Sequence, residues 1–178
     1  MTRHFLLLIL PLTLAGCAGA RVSDWPVKIG RPYSVRGVTY VPAAAPGYET
    51  VGYASWYGSE SGNRTANGER YRARWVSGAH TTLPLPSYVE VTALSTGRTI
   101  LVRVNDRGPF SSTRVIDLSR GAARLLGVEQ AGRAAVHVRL VDPPERDRAR
   151  LRRGKPAAAR RDASPGQLAA WRSVLAAQ

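Results

Sequence analysis

The feature that most restricts the fold is a period of two in residues 88–104. Val89, Val91 and Ala93 alternate with Glu90 and Thr92, and Ile100, Val102 and Val104 alternate with Leu101 and Arg103. Ser95-Thr96-Gly97-Arg98 lies between the two runs and reads as a turn. Side chains two apart share one face of a strand, so the stretch predicts a β-hairpin with one apolar face. Such a face has to be covered by more sheet or by helices. Residues 51–57, 114–118 and 135–141 supply further short strands. One short helix is predicted over 120–126, capped by Ser119, stopped by Gly127, and apolar at Ala122, Ala123, Leu125 and Leu126. Twelve prolines and 17 glycines make the chain rich in turns. Many short strands with one short helix favour a small closed barrel over a parallel sheet.

The ends read differently. Residues 5–14 form an apolar run behind Arg3 and His4, of the length of a signal-peptide core and too short to span a bilayer. The run ends in Leu14-Ala15-Gly16-Cys17, the order of a bacterial lipobox. On that reading residues 1–16 are a signal peptide, Cys17 is lipidated, and several acyl chains on it give lasting membrane attachment. Ala18, rather than Asp, after the cysteine points to the outer membrane. With one cysteine in the chain, no intrachain disulfide can form. Residues 17–50 read as a tether with two short strands around a turn at Arg36-Gly37. Residues 51–142 read as the barrel domain. Residues 143–178 form a basic tail, in which nine Lys and Arg face Glu145, Asp147 and Asp162. Within it, 146–161 is expected to be disordered or loosely helical. Ser164-Pro165-Gly166-Gln167 is a capping box for a short helix with Leu168, Trp171 and Leu175 on one face. That face either docks on the barrel or a membrane, or frays in solvent.

The net charge of +14 favours anionic partners. No zinc-finger spacing, basic zipper or RNA-recognition motif accompanies it, so nucleic acid is not an expected partner.

Polar residues of chemical interest gather in 52–117. Trp56 and Tyr57 are adjacent on a strand and must face opposite ways. One packs in the core while the other is free to line a surface. Asn67-Gly68 is a strong turn signal and presents Glu69, with Tyr71 and Trp75 nearby. His80 has no His or Cys at metal-ligand spacing, so neither a metal site nor a cofactor is expected. The second hairpin strand delivers Asp106 into Asn105-Asp106-Arg107-Gly108-Pro109, where an aspartate either stabilises the turn or stands at a sheet rim. Arg107 could pair with it or hold an anionic substrate. Asp117 interrupts the apolar pair Ile116 and Leu118, and either caps backbone donors or faces a site.

Ala54-Ser55-Trp56-Tyr57-Gly58, Thr65-Ala66-Asn67-Gly68-Glu69, Ala79-His80, Thr82-Leu83-Pro84, residues 102–110 and Ile116-Asp117-Leu118-Ser119 resemble, in this order, the rare lipoprotein A family of bacterial envelope proteins. The resemblance implies a mainly β protein, a six-stranded double-psi β-barrel with one or two short helices, between a flexible lipidated N-terminus and the basic tail. It implies lytic transglycosylase activity on peptidoglycan, typically on glycan strands lacking stem peptides, without a cofactor. The family's catalytic positions match Glu69 and His80, and Asp106 and Asp117 match two acidic positions shared with expansin-like barrels. Trp56, Tyr57, Thr65, Asn67, Tyr71 and Arg107 are the substrate-binding residues expected on this reading. Two departures stand out: Arg72 occupies a position where relatives commonly carry Asp, and the tail does not resemble their SPOR domain. The implied partners are peptidoglycan glycan strands, the membrane through the lipid on Cys17, and cell-division proteins at a septal outer-membrane site. The alternative is a non-catalytic glycan-binding barrel. A lytic transglycosylase needs one carboxylate that starts protonated and acts as acid and then base. Asp106 or Glu69 can fill that role.

Overall fold

A computed structural model describes residues 22–58 and 62–178. The expected signal peptide, 1–16, and Cys17 lie outside the described residues. The alternating hairpin is present as β5 (Ser87–Ala93) and β6 (Thr99–Asp106), with Val89 opposite Val102 and Val91 opposite Ile100. Before it come a small separate hairpin, β1 (Tyr33–Val35) and β2 (Val38–Tyr40), then β3 (Glu49–Tyr57) and β4 (Ser77–Ala79). After it come β7 (Ile116–Ser119), α1 (Arg120–Leu126) and β8 (Ala134–Leu140). Six strands close into a barrel in the order β3-β7-β4-β6-β5-β8. β3 runs parallel to β7 and β4 parallel to β6, and the other neighbours are antiparallel. Closure removes the free edges that a flat sheet would expose. The in-facing residues Val89, Val91, Val102, Val104, Ile116, Leu118, Val136 and Val138 are buried and form the core.

Local chemistry explains the helix. Ser119 Oγ accepts from Ala122 N, and Gly127 closes the other end with a left-handed φ of 85°. Gly121 lies against the preceding loop. Its N–H donates to Ala73 O, and a Cβ there would stand 2.3 Å from Arg74 O and 2.8 Å from Trp75 O. Both contacts are backbone, which cannot swing away. Helix propensity alone would make Gly121→Ala stabilising. The close approach reverses the sign, and a thermal melt should show a loss of about 2–3 kcal/mol.

β4 was not expected. It is three residues long and contains Gly78, too short to show a period, yet it lies between β6 and β7. The tail also departs from expectation. Residues 146–161 are not loose: they form α2 (Glu145–Arg152) and a strap along the outside of β5 and β6. Leu151 is buried, and Asp147 accepts from Ala158 N and Arg160 Nη2. Arg160 also pairs with Glu90 on β5. Composition could not reveal these anchors, because Arg160 meets Asp147 only when the strap folds back on α2 and Glu90 only across the fold. The capping box opens α3 (Pro165–Ala176) as expected. Its Trp171 ring stacks on His137 at 3.9 Å and 8°, so the helix docks on the barrel.

Candidate active site

The outer face of the barrel carries one acidic row. In register, Ser55 on β3 pairs with Asp117 on β7, Asp117 with Ala79 on β4, and Ala79 with Asp106 on β6. Asp106 and Asp117 are therefore two strands apart, about 9–10 Å between Cα atoms. Ala79 and Gly108 floor the space between them. A Cβ on Gly108 would meet Ala79 Cβ at 3.6 Å and Asp117 Oδ2 at 3.9 Å, so small residues keep the groove open.

Tyr57 follows Ser55 on the same face of β3, and its hydroxyl is buried. Burial, and then the negative fields of Asp106, Tyr71 and Asp117, raise its pKa well above the ordinary phenol value. It therefore remains a neutral donor. Tyr71 stacks on it at 5.0 Å and donates to Tyr57 O. Trp56 points the other way, packs against the core and donates from Nε1 to Glu129 O at 3.0 Å. The adjacent pair is thus resolved: Tyr57 belongs to the groove and Trp56 does not.

Glu69 is locked. Arg103 grips it with two bonds, Nη1 to Oε2 at 2.7 Å and Nη2 to Oε1 at 2.8 Å. Asn105 donates to Oε2 and Asn67 to Oε1. Burial alone would raise the Glu69 pKa, but Arg103 and the two amides outweigh it and hold the carboxyl below its usual value. Arg103 is 3% exposed and also binds Asp24 through Nε at 2.9 Å. Sequence reasoning passed over Arg103 as one polar residue in an alternating strand. The signal was a long cation set between Val102 and Val104, which needs carboxylates around it to be buried.

Asp106 is treated differently. Its Oδ1 accepts the backbone N–H groups of Ala66 and Arg107, each at 2.8 Å. Among the described residues no guanidinium hydrogen-bonds to it. Burial raises its pKa, and the two N–H groups and the more distant Arg107 charge only partly oppose this. Asp117, by contrast, accepts from Arg114 Nε at 2.8 Å and Ser55 Oγ at 2.7 Å. Burial without a hydrogen-bonding cation thus favours the protonated form of Asp106, whereas Arg103 favours the ionised form of Glu69.

The remaining expected residues build the frame. Thr65 is buried, and the 65–69 turn closes with Thr65 N to Glu69 O and Gly68 N to Thr65 O, Gly68 taking a φ of 86°. The turn holds Ala66 against Asp106. The Arg107 guanidinium neither pairs with Asp106 nor stands free, because it ties together the carbonyls of Ile29, His80 and Leu83. His80 does not face the groove. Its Nδ1 accepts from Thr82 N and Leu83 N, Nε2 meets Tyr48 Oη at 2.9 Å, and its backbone N–H donates to Asp106 O at 3.0 Å. It positions Asp106 through the backbone.

Burial, and then Arg107, lower the His80 pKa from 6.5 to about 4. The unfolded chain therefore binds a proton that the folded chain refuses between these values. The stability His80 contributes is complete above its unfolded pKa and is lost as pH falls through the folded one, by roughly 3 kcal/mol. Melting temperature should fall steadily from pH 7 to pH 4. His80→Gln should melt lower at pH 7 but with a flatter profile across that window.

A closed six-stranded barrel of mixed strands, with an acidic groove across β3, β7, β4 and β6, defines a double-psi β-barrel. The chain belongs to the lytic transglycolase family, whose sequence profile matches residues 49–138, and within it to the rare lipoprotein A proteins. It is 55% identical over 114 residues to the endolytic peptidoglycan transglycosylase RlpA of Pseudomonas aeruginosa, covering 63% of this chain and 33% of that protein. It is 39% identical to the RlpA of Vibrio cholerae, covering 83% of this chain and 68% of that protein. The chain thus spans about a third of the length of its Pseudomonas relatives. Among solved structures, the Streptomyces papain inhibitor aligns over 56% of this chain and 100% of its own at 24% identity and a TM-score of 0.47.

Proposed function

We propose that this protein cleaves the β-1,4 bond between MurNAc and GlcNAc in peptidoglycan, as an endolytic lytic transglycosylase with Asp106 as acid and then base. The observation that carries this reading is the contrast between two neighbouring carboxylates: Glu69 is held ionised by Arg103, while half-buried Asp106 has its pKa raised. Protonated Asp106 gives its proton to the bridging O4 of GlcNAc as the bond to MurNAc C1 breaks. The MurNAc O6 then attacks C1, and its hydroxyl proton passes to the Asp106 carboxylate. A 1,6-anhydro ring closes, no water is consumed, and the acid is regenerated. Asp117 supplies negative charge across the groove from Asp106, where positive charge develops at C1. The neutral Tyr57 hydroxyl is a hydrogen-bond donor in the field of both carboxylates.

On this reading the protein acts from the periplasmic face of the outer membrane, lipid-anchored at Cys17 and serving envelope remodelling beside cell-division proteins. Its support is the sequence Leu14-Ala15-Gly16-Cys17. A non-catalytic glycan-binding role draws support from the ion pairs on two of the three candidate carboxylates, Glu69 and Asp117. Digestion of purified sacculi read by mass spectrometry separates the two. Anhydro-muramyl ends are the expected product. New reducing ends would mean hydrolysis, and retained pelleting with no product would mean binding alone.

A further inference from the structure

Behind the 65–69 turn lies a second concavity, of about 830 Å³. Asn67, Gly68 and Glu69 form one of its walls, and Trp25 and Trp75 give it apolar surface. The same turn donates Ala66 N–H to Asp106. The cavity is therefore separated from the reacting carboxylate by the thickness of one turn. Its lining is strongly cationic: Lys28, Arg64, Arg70, Arg72 and Arg152 all contribute. Arg152 is spoken for by Asp24 and Glu145. Lys28, Arg64, Arg70 and Arg72 are exposed, and among the described residues none has a carboxylate partner. Glu69 offers them little, because Arg103, Asn105 and Asn67 already occupy its oxygens. Arg72 lies over the Trp75 ring at 5.0 Å, which holds a charge at the wall rather than letting it sweep through solvent.

A concave surface lined by one sign of charge concentrates the opposite charge, and guanidinium groups match carboxylates in geometry. We propose that this cavity binds carboxylates carried on the muramyl lactyl side chain of the glycan lying in the Asp106 groove. This rests on the proposed reaction, since it is that glycan which brings the lactyl group alongside the turn. The carboxylate comes from the lactyl group itself on a stripped strand, or from the attached stem peptide on a dressed one.

The test titrates the purified chain with muramyl dipeptide, N-acetylmuramic acid and chitobiose in 50 mM salt, followed by calorimetry. Muramyl dipeptide should bind at least about tenfold more tightly than neutral chitobiose and should weaken at higher salt. Arg70→Ala combined with Arg72→Ala should weaken it about five- to tenfold, two exposed pairings being lost. N-acetylmuramic acid, whose lactyl carboxylate is free, binding as well as the dipeptide would show that a carboxylate on the lactyl group itself suffices, and dipeptide binding alone would assign the stem. Equal affinity for chitobiose, or affinity unmoved by the double substitution, would overturn the inference. Digestion adds a second readout. The double variant should slow release of anhydro ends from stem-bearing sacculi several-fold more than from amidase-stripped ones. If the wild-type chain releases no anhydro ends from either, the proposed reaction fails while the titration still decides this site.

Discussion

Asp106→Asn should lower release of anhydro-muramyl ends by about 10²–10⁴-fold, the range for loss of a positioned general acid. The substitution is nearly isosteric, and the amide oxygen can still accept the two N–H groups that now meet Oδ1. The fold should therefore survive, and the variant should still pellet with sacculi and melt close to the parent. The pH profile gives an independent check. The Asp106 pKa is raised, chiefly by burial, so the active protonated form persists above the ordinary aspartate range and the rate falls as pH rises past the raised value. Tyr57→Phe, which removes only a neutral donor, should cost less and leave the position of that limb in place. An Asp106→Asn variant with undiminished activity would remove this residue from the chemistry.

Arg103→Met should cost about 3 kcal/mol of stability, the low end of the usual cost of breaking a buried ion pair from one side. The side chain is 3% exposed and binds both Glu69 and Asp24. Removing it leaves Glu69 without its cation, leaves Asp24 with Arg152 alone, and loosens the turn that supports Asp106. Measured as a melt, the drop should be of order 10 °C for a chain of this size. Glu69→Gln should cost less, since Arg103 keeps Asp24 and the amide keeps part of the hydrogen bonding. This pair of variants separates structure from chemistry at Glu69. If Glu69 frames the site, the loss of activity in Glu69→Gln should follow the loss of folded protein. Abolished activity at an unchanged melting temperature would instead put Glu69 in the proton transfer.

Much of the fold was legible because its signals are local. The β5–β6 hairpin follows from a period of two. Ser119 and Gly127 bound α1, Ser164 and Gln167 open α3, and Asn67-Gly68 makes its turn, each through bonds spanning only a few residues. These residues act the same way wherever the rest of the chain lies. Asp106 and Asp117 lie two strands apart on one side of the barrel, and with Glu69 they were legible as chemical groups. Their roles were not. Arg103 reaches Glu69 across 34 residues, Ala66 reaches Asp106 across 40, and Ser55 reaches Asp117 across 62. The protonation of a carboxylate depends on who its neighbours are and how much water they exclude, and only barrel closure decides that. The same holds for β4, too short to announce itself, for the choice of Tyr57 over Trp56, and for the basic tail, whose Arg160 finds Glu90 only once the barrel offers it. The sequence alone determined the local elements and assembled the chemical groups. The tertiary structure assigned those groups their charges, because electrostatic environment is a property of distance in space and not of distance along the chain.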